Sequence, residues 1–122
     1  MKKIIIAALA LLPLAASADY LDVIQFELNE ECTFEKYLAI KDDFNSQWAK
    51  DHDYTVEVLT PIQIHDMKSL FWVGRSSDAA SFGRAWDAWQ AESADPDSVA
   101  SKLIARFAQC SIQSSRRGYQ TH

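Results

Sequence analysis

Apolar and polar positions alternate from Tyr20 to Leu28, with Ile24, Phe26 and Leu28 on one side and Val23, Gln25 and Glu27 on the other. A period of two is that of a strand, so this segment is read as the first one. Asn29–Cys32 connects it to a stretch with a longer period. Thr33 is placed to cap a helix, because its hydroxyl can accept from an unpaired backbone N–H. Phe34, Tyr37, Leu38, Phe44 and Trp48 then fall near one stripe of a helix running to about Lys50. Lys36, Lys41, Asp42, Asp43 and Gln47 make its wet side.

Period two returns over Tyr54–Ile64, with Val56 and Val58 on one face and Thr55, Glu57 and Leu59 on the other. Pro61 cannot donate to a ladder, so this strand is an edge or bends there. Beyond the turn His65–Lys68, Leu70–Arg75 is apolar on both sides, Phe71 and Val73 against Leu70 and Trp72. Such a strand is central and covered on both faces. Ser76 or Ser77 is expected to cap the second helix, with Asp78 in its first turn. Its inward stripe is Ala79, Phe82, Ala85, Trp86 and Trp89, and Gly83 weakens it by ~1 kcal/mol against Ala. Asp95 and Pro96 read as the cap and first residue of a shorter helix, with Val99, Leu103 and Phe107 inward. Cys110–Tyr119 is the last strand, with Ile112 its apolar position and Gln113, Ser115 and Arg117 opposite.

Strand, helix, strand, strand, helix, short helix, strand is the order of a ferredoxin-like βαββαβ fold. That α+β architecture has an antiparallel four-stranded sheet with helices on one face, here with an extra short helix before the last strand. The last strand then lies antiparallel beside the first, which brings Cys32 and Cys110 to one edge. Ile24, Phe26, Leu28, Val56, Val58, Phe71 and Val73 are assigned to the helix side. Val23, Gln25, Glu27, Glu57, Leu59, Leu70, Trp72, Gln113 and Arg117 are assigned to the open side. That side is too apolar for water, and a second copy packed against it would cover it.

The chain's start changes the compartment. Met1-Lys2-Lys3, an apolar run from Ile4 and Ala16-Ser17-Ala18 have the order of a signal peptide. Residues 1–18 are read as that signal and 19–122 as one domain, periplasmic or secreted and no longer membrane-bound after cleavage. The run is too short to span a bilayer. Two cysteines in an exported chain suggest a Cys32–Cys110 disulfide. The formal charge of −5 grows more negative without Lys2 and Lys3. A nucleic-acid partner is excluded on that ground, because phosphate contacts need a basic face.

The stretch from Leu70 to Trp89, LFWVGRSSDAASFGRAWDAW, resembles the corresponding strand, turn and aromatic helix of the dimeric α/β-barrel superfamily. The resemblance implies ferredoxin-like chains paired sheet to sheet. It also implies company that includes small cofactor-independent monooxygenases and haem-binding members. No catalytic set carries across residue by residue.

Candidate chemistry is sparse. Gln25, Glu27, Glu57, Trp72 and Arg117 could converge on a ligand pocket on the open face. The plainer reading makes them a homodimer contact, with Glu27 and Arg117 paired across strands. His65, His52, Arg75 and Arg84 read as surface residues, and Trp86 and Trp89 as core. No metal spacing, phosphate loop or Ser–His–Asp set occurs. The cofactor is left unknown and no catalytic residue is assigned, which favours a role in binding a small apolar or aromatic ligand, or an accessory role, over an enzyme. An oxidoreductase of the barrel kind, cofactor-independent or haem-dependent, is the alternative. A purely structural or interaction protein is the third reading.

Overall fold

The computed structural model describes residues 18–122. The signal-peptide reading of residues 1–18 lies, but for Ala18, outside them. The elements run β1 (Tyr20–Leu28), α1 (Phe34–Gln47), β2 (Thr55–Leu59), β3 (Leu70–Ser76), α2 (Ala79–Glu92), α3 (Val99–Cys110) and β4 (Ser111–Gln120). The four strands make one sheet in the order β2-β3-β1-β4, antiparallel throughout. This is the ferredoxin-like arrangement. No helix among the described residues is long and apolar enough to cross a membrane.

The helix ends follow local chemistry. Thr33 caps α1 as expected, its Oγ1 accepting from the Lys36 amide at 3.2 Å. The cap of α2 is Asp78 rather than either serine, with Oδ1 accepting from the Ser81 amide at 2.7 Å. Ser76 is instead the last residue of β3, and Ser77 donates to Asp53. The cap of α3 is Ser98, not Asp95. Asp95 closes a turn on the Asp97 amide, and Pro96 lies within it. β2 stops at Leu59, short of Pro61, and Ile62 beyond it is 89% exposed.

Register decides which side of the sheet each residue faces. Trp72 stands opposite Ile24 on β1 and Val58 on β2. Residues directly opposite share a face, so Trp72 and Leu70 join the helix side. Phe71, opposite Gln25 and Leu59, and Val73, opposite Val23 and Glu57, face the open side. The expected phase of this strand is therefore inverted. On β4 a bulge at Ser114 does something similar: Gln25 pairs Ser115, but Phe26 pairs Gln113. An extra residue in one strand flips every position on one side of it. Gln113 thus faces the helices with Phe26, and Ile112 faces outward, opposite Glu27 and 67% exposed.

Cys32 and Cys110 are joined, with Cα atoms 5.0 Å apart at a sequence separation of 78. The bridge pins the end of α3 to the loop after β1, where the Asn29 amide also donates to the Cys110 carbonyl at 2.9 Å. The core lies between sheet and helices, around Phe26, Ile40, Phe44, Trp72 and Leu103.

Candidate functional site

A charged residue interrupts the apolar side of β1. Asp22 has the parity of Ile24 and Phe26 and is 1% exposed. Its neighbours across the sheet are Gly74 on β3 and Gly118 on β4. A tyrosine ring lies over each glycine. A Cβ on Gly74 would stand 1.9 Å from the Tyr54 hydroxyl oxygen, and one on Gly118 would stand 2.1 Å from that of Tyr20. Glycine is required at both places by close approach.

These gaps let polar groups reach Asp22. The Tyr54 hydroxyl donates to Oδ2 at 2.8 Å, and Trp72 Nε1 donates to that hydroxyl at 3.2 Å. Arg116 Nε donates to Oδ1 at 2.8 Å, and its Nη2 donates to Oδ2. Both carboxylate oxygens are thus engaged in a two-pronged pair, the strongest geometry for this contact. Burial disfavours the Arg116 charge, but the hydrogen bonds and charge of Asp22 outweigh it and raise its pKa above the ordinary arginine value. Burial, followed by the charge of Asp22, raises the Tyr54 hydroxyl well above the usual tyrosine range, so it stays neutral and donates. The Arg116 guanidinium carbon also sits 4.2 Å from the centre of the Trp86 ring, a cation–π distance.

Beside this cluster lies a cavity of about 320 Å³ between sheet and helices. Phe44 is its hub, edge-on to Trp72 at 5.0 Å and to Trp89 at 5.3 Å between ring centres. Phe26 stacks on Tyr37 at 4.4 Å at the inner end. The exposed residues on its wall are Trp86 of α2, Ile104 and Ala108 of α3, and Gln113 and Arg116 of β4. They mark its mouth. The deep wall is aromatic, and the open edge carries the polar groups.

Of the residues singled out from the sequence, Gln25, Glu27, Glu57 and Arg117 do share the open face. Gln25 is tied down, donating to Ser69 Oγ at 2.8 Å. Glu27 and Arg117 do not pair, because Glu27 stands opposite Ile112 and Arg117 opposite Val23. Trp72 leaves this group and lines the cavity on the other side. Trp86, expected in the core, is 38% exposed at the mouth. Arg75 pairs with Asp19, and Arg84 donates to Ser81. His65 lies in the exposed loop between β2 and β3. His52 stacks on Trp48 at 4.1 Å, outside the cavity. Among the described residues no group of three acidic, histidine or cysteine side chains could hold a metal ion. Asp22, Tyr54 and Arg116 were missed as a set. The legible signal was a carboxylate at the core parity of β1; the bulge hid the parity of Arg116.

Comparison with family profiles and with curated protein sequences finds no match. Solved structures do match. SnoaB, a cofactor-independent oxygenase from Streptomyces nogalater, superposes with a TM-score of 0.55 at 10% identity, covering 86% of this chain and 94% of that one. A conserved protein of unknown function from Bacteroides thetaiotaomicron, described as a possible oxidoreductase, gives 0.53 at 9% identity, covering 87% and 99%. At such identities the likeness is one of fold. The chain has a ferredoxin-like fold, which these structures share.

Proposed function

We propose that this protein is exported and binds a small, flat aromatic molecule in the cavity between sheet and helices. The observation carrying this reading is the cavity itself, about 320 Å³ and walled by aromatic rings. That volume is at the small end of ligand sites, and an apolar wall with a few polar groups is their usual make-up. It suits a compact fused-ring compound. The disulfide supports export, since such bonds persist in oxidising compartments. The open sheet face, with Gln25, Glu27, Glu57 and Arg117, is the contact for a second copy.

The test is a titration with 2-methylnaphthalene, followed by the indole N–H signals in nuclear magnetic resonance. Saturable shifts are expected at Trp72 and Trp89, which face the cavity. Ala85→Leu, which adds bulk to the wall, should abolish them in a protein that stays folded. Shifts that never saturate, or that survive this substitution, would sink the reading.

An oxidation within the cavity is the second reading, favoured by the fold shared with a cofactor-independent oxygenase. It ranks lower because both Asp22 oxygens are occupied by Arg116 and Tyr54, which leaves no free base aimed at a ligand. Haem does not fit the donor set. Among the described residues the cavity wall has no histidine, cysteine or methionine, and burial keeps Tyr37 and Tyr54 protonated. Oxygen consumption with 1-naphthol, dependent on the intact cavity, would raise this reading above simple binding.

A further inference from the structure

We infer that the ligand is an aromatic acid, its rings in the cavity and its carboxylate at the mouth between Arg116 and Gln113. This deepens the cavity reading and rests on it. Arg116 is the one charged side chain on the cavity wall among the described residues. Its Nε and Nη2 serve Asp22, and Nη1 has no protein partner among them. Guanidinium N–H groups only donate, so Nη1 can be met only by an acceptor. The Gln113 side chain, on the same wall, also has no hydrogen-bond partner among the described residues. The Ser114 bulge turns Gln113 inward on the same strand face as Arg116.

The position of these groups selects a charge as well as an acceptor. Deep in the cavity a carboxylate would lose its hydration, at a cost of several kcal/mol. At the mouth it keeps water on one side. Arg116 is held there from two directions, by Asp22 in front and by the Trp86 ring at 4.2 Å beneath. A donor fixed in this way loses little freedom on binding. An ammonium group would meet the like charge of Arg116, with the Gln113 amide oxygen as its acceptor there. A neutral hydrocarbon would fill the cavity and leave the donors to water.

The experiment compares 2-naphthoate with 2-methylnaphthalene, which match in rings and differ in the carboxylate. Naphthoate is expected to bind about tenfold more tightly at neutral pH, the scale of one charge-assisted hydrogen bond. Gln113→Leu, at an exposed position on an edge strand, should cut that preference severalfold, read as the ratio of the two dissociation constants. Arg116→Lys keeps a counter-charge for Asp22 but removes the fork, and should cut the preference further. If both compounds bind equally, the cavity reading stands and the acid reading falls. An undiminished preference in both variants also overturns it. Binding of neither compound overturns both readings.

Discussion

Two glycines of this chain make opposite predictions, because what surrounds a missing Cβ differs. At Gly74 the space is filled by Tyr54, whose hydroxyl would stand 1.9 Å from a new Cβ. Gly74→Ala must therefore push the ring off Asp22 and Trp72. A loss of about 1–3 kcal/mol is expected in urea denaturation, in the range of overpacking and of a lost buried hydrogen bond. Tyr54→Phe separates the two causes. It keeps the ring and removes the hydroxyl, which strands Trp72 Nε1. If it costs nothing, the hydrogen-bonded cluster is not holding this end of the sheet. Gly83 lies in the middle of α2 with nothing within 4 Å of its missing Cβ. Gly83→Ala should stabilise by roughly 0.5–1 kcal/mol, since only helix propensity is at stake. A loss there would mean a neighbour packs closer than the structure shows.

At the scale of elements, the carboxylates that hold the start of α2 give the folded state a defined acid response. The Ser81 amide, hydrogen-bonded to Asp78 at the start of α2, holds that carboxyl below its usual range. The Ser77 hydroxyl does the same for Asp53. A carboxyl depressed on folding stabilises above its unfolded value, and that stability fades as pH falls through the folded one. The urea midpoint should therefore hold from neutral pH to the ordinary carboxylate range and decline below it. Asp78→Asn keeps a good capping oxygen that does not titrate, so its profile should be flatter in acid; an unchanged profile would remove Asp78 from the explanation. Replacing Cys32 and Cys110 by serine should cost about 2–5 kcal/mol. The elements themselves were readable in the sequence because each announces its own period and breaks. Thr33 caps α1 as expected, and β2 is the edge strand that Pro61 predicted, although it ends at Leu59 rather than Ile64. The phase of β3 was not readable, because Phe71 and Val73 are as apolar as Leu70 and Trp72. Only the pairing of Trp72 with Ile24 and Val58 decides it. The bulge at Ser114 left no mark either, since a run of small polar residues accepts an extra position anywhere. With those two phases unknown, the polar cluster around Asp22 could not be assembled, and the wrong side of the sheet drew attention.

The whole molecule has two apolar interfaces, and the helices cover one. On the other side Val23, Phe71 and Val73 sit centrally and half-buried, with Leu59 49% and Tyr119 47% exposed toward the edges. A contiguous patch of this kind marks an interaction surface. Its charges are mixed in sign, Glu27 and Glu57 with Arg75 and Arg117, so two identical faces can turn against one another and match acid with base. Sheet-to-sheet packing would also leave the cavity mouth free, because Trp86, Gln113 and Arg116 lie on the helix side. Binding and assembly then become separable. Val73→Asp puts a carboxylate at the centre of the open face without touching the cavity wall. Sedimentation equilibrium should report a mass twice that of the chain for the unaltered protein and the single-chain mass for this variant. Circular dichroism should remain that of the folded protein, and naphthoate should still bind. A variant that stays dimeric would move the interface elsewhere. One that turns monomeric and loses the ligand as well would show that the partner copy supports the cavity across the sheet, through the side chains of β1 and β3 that back onto it.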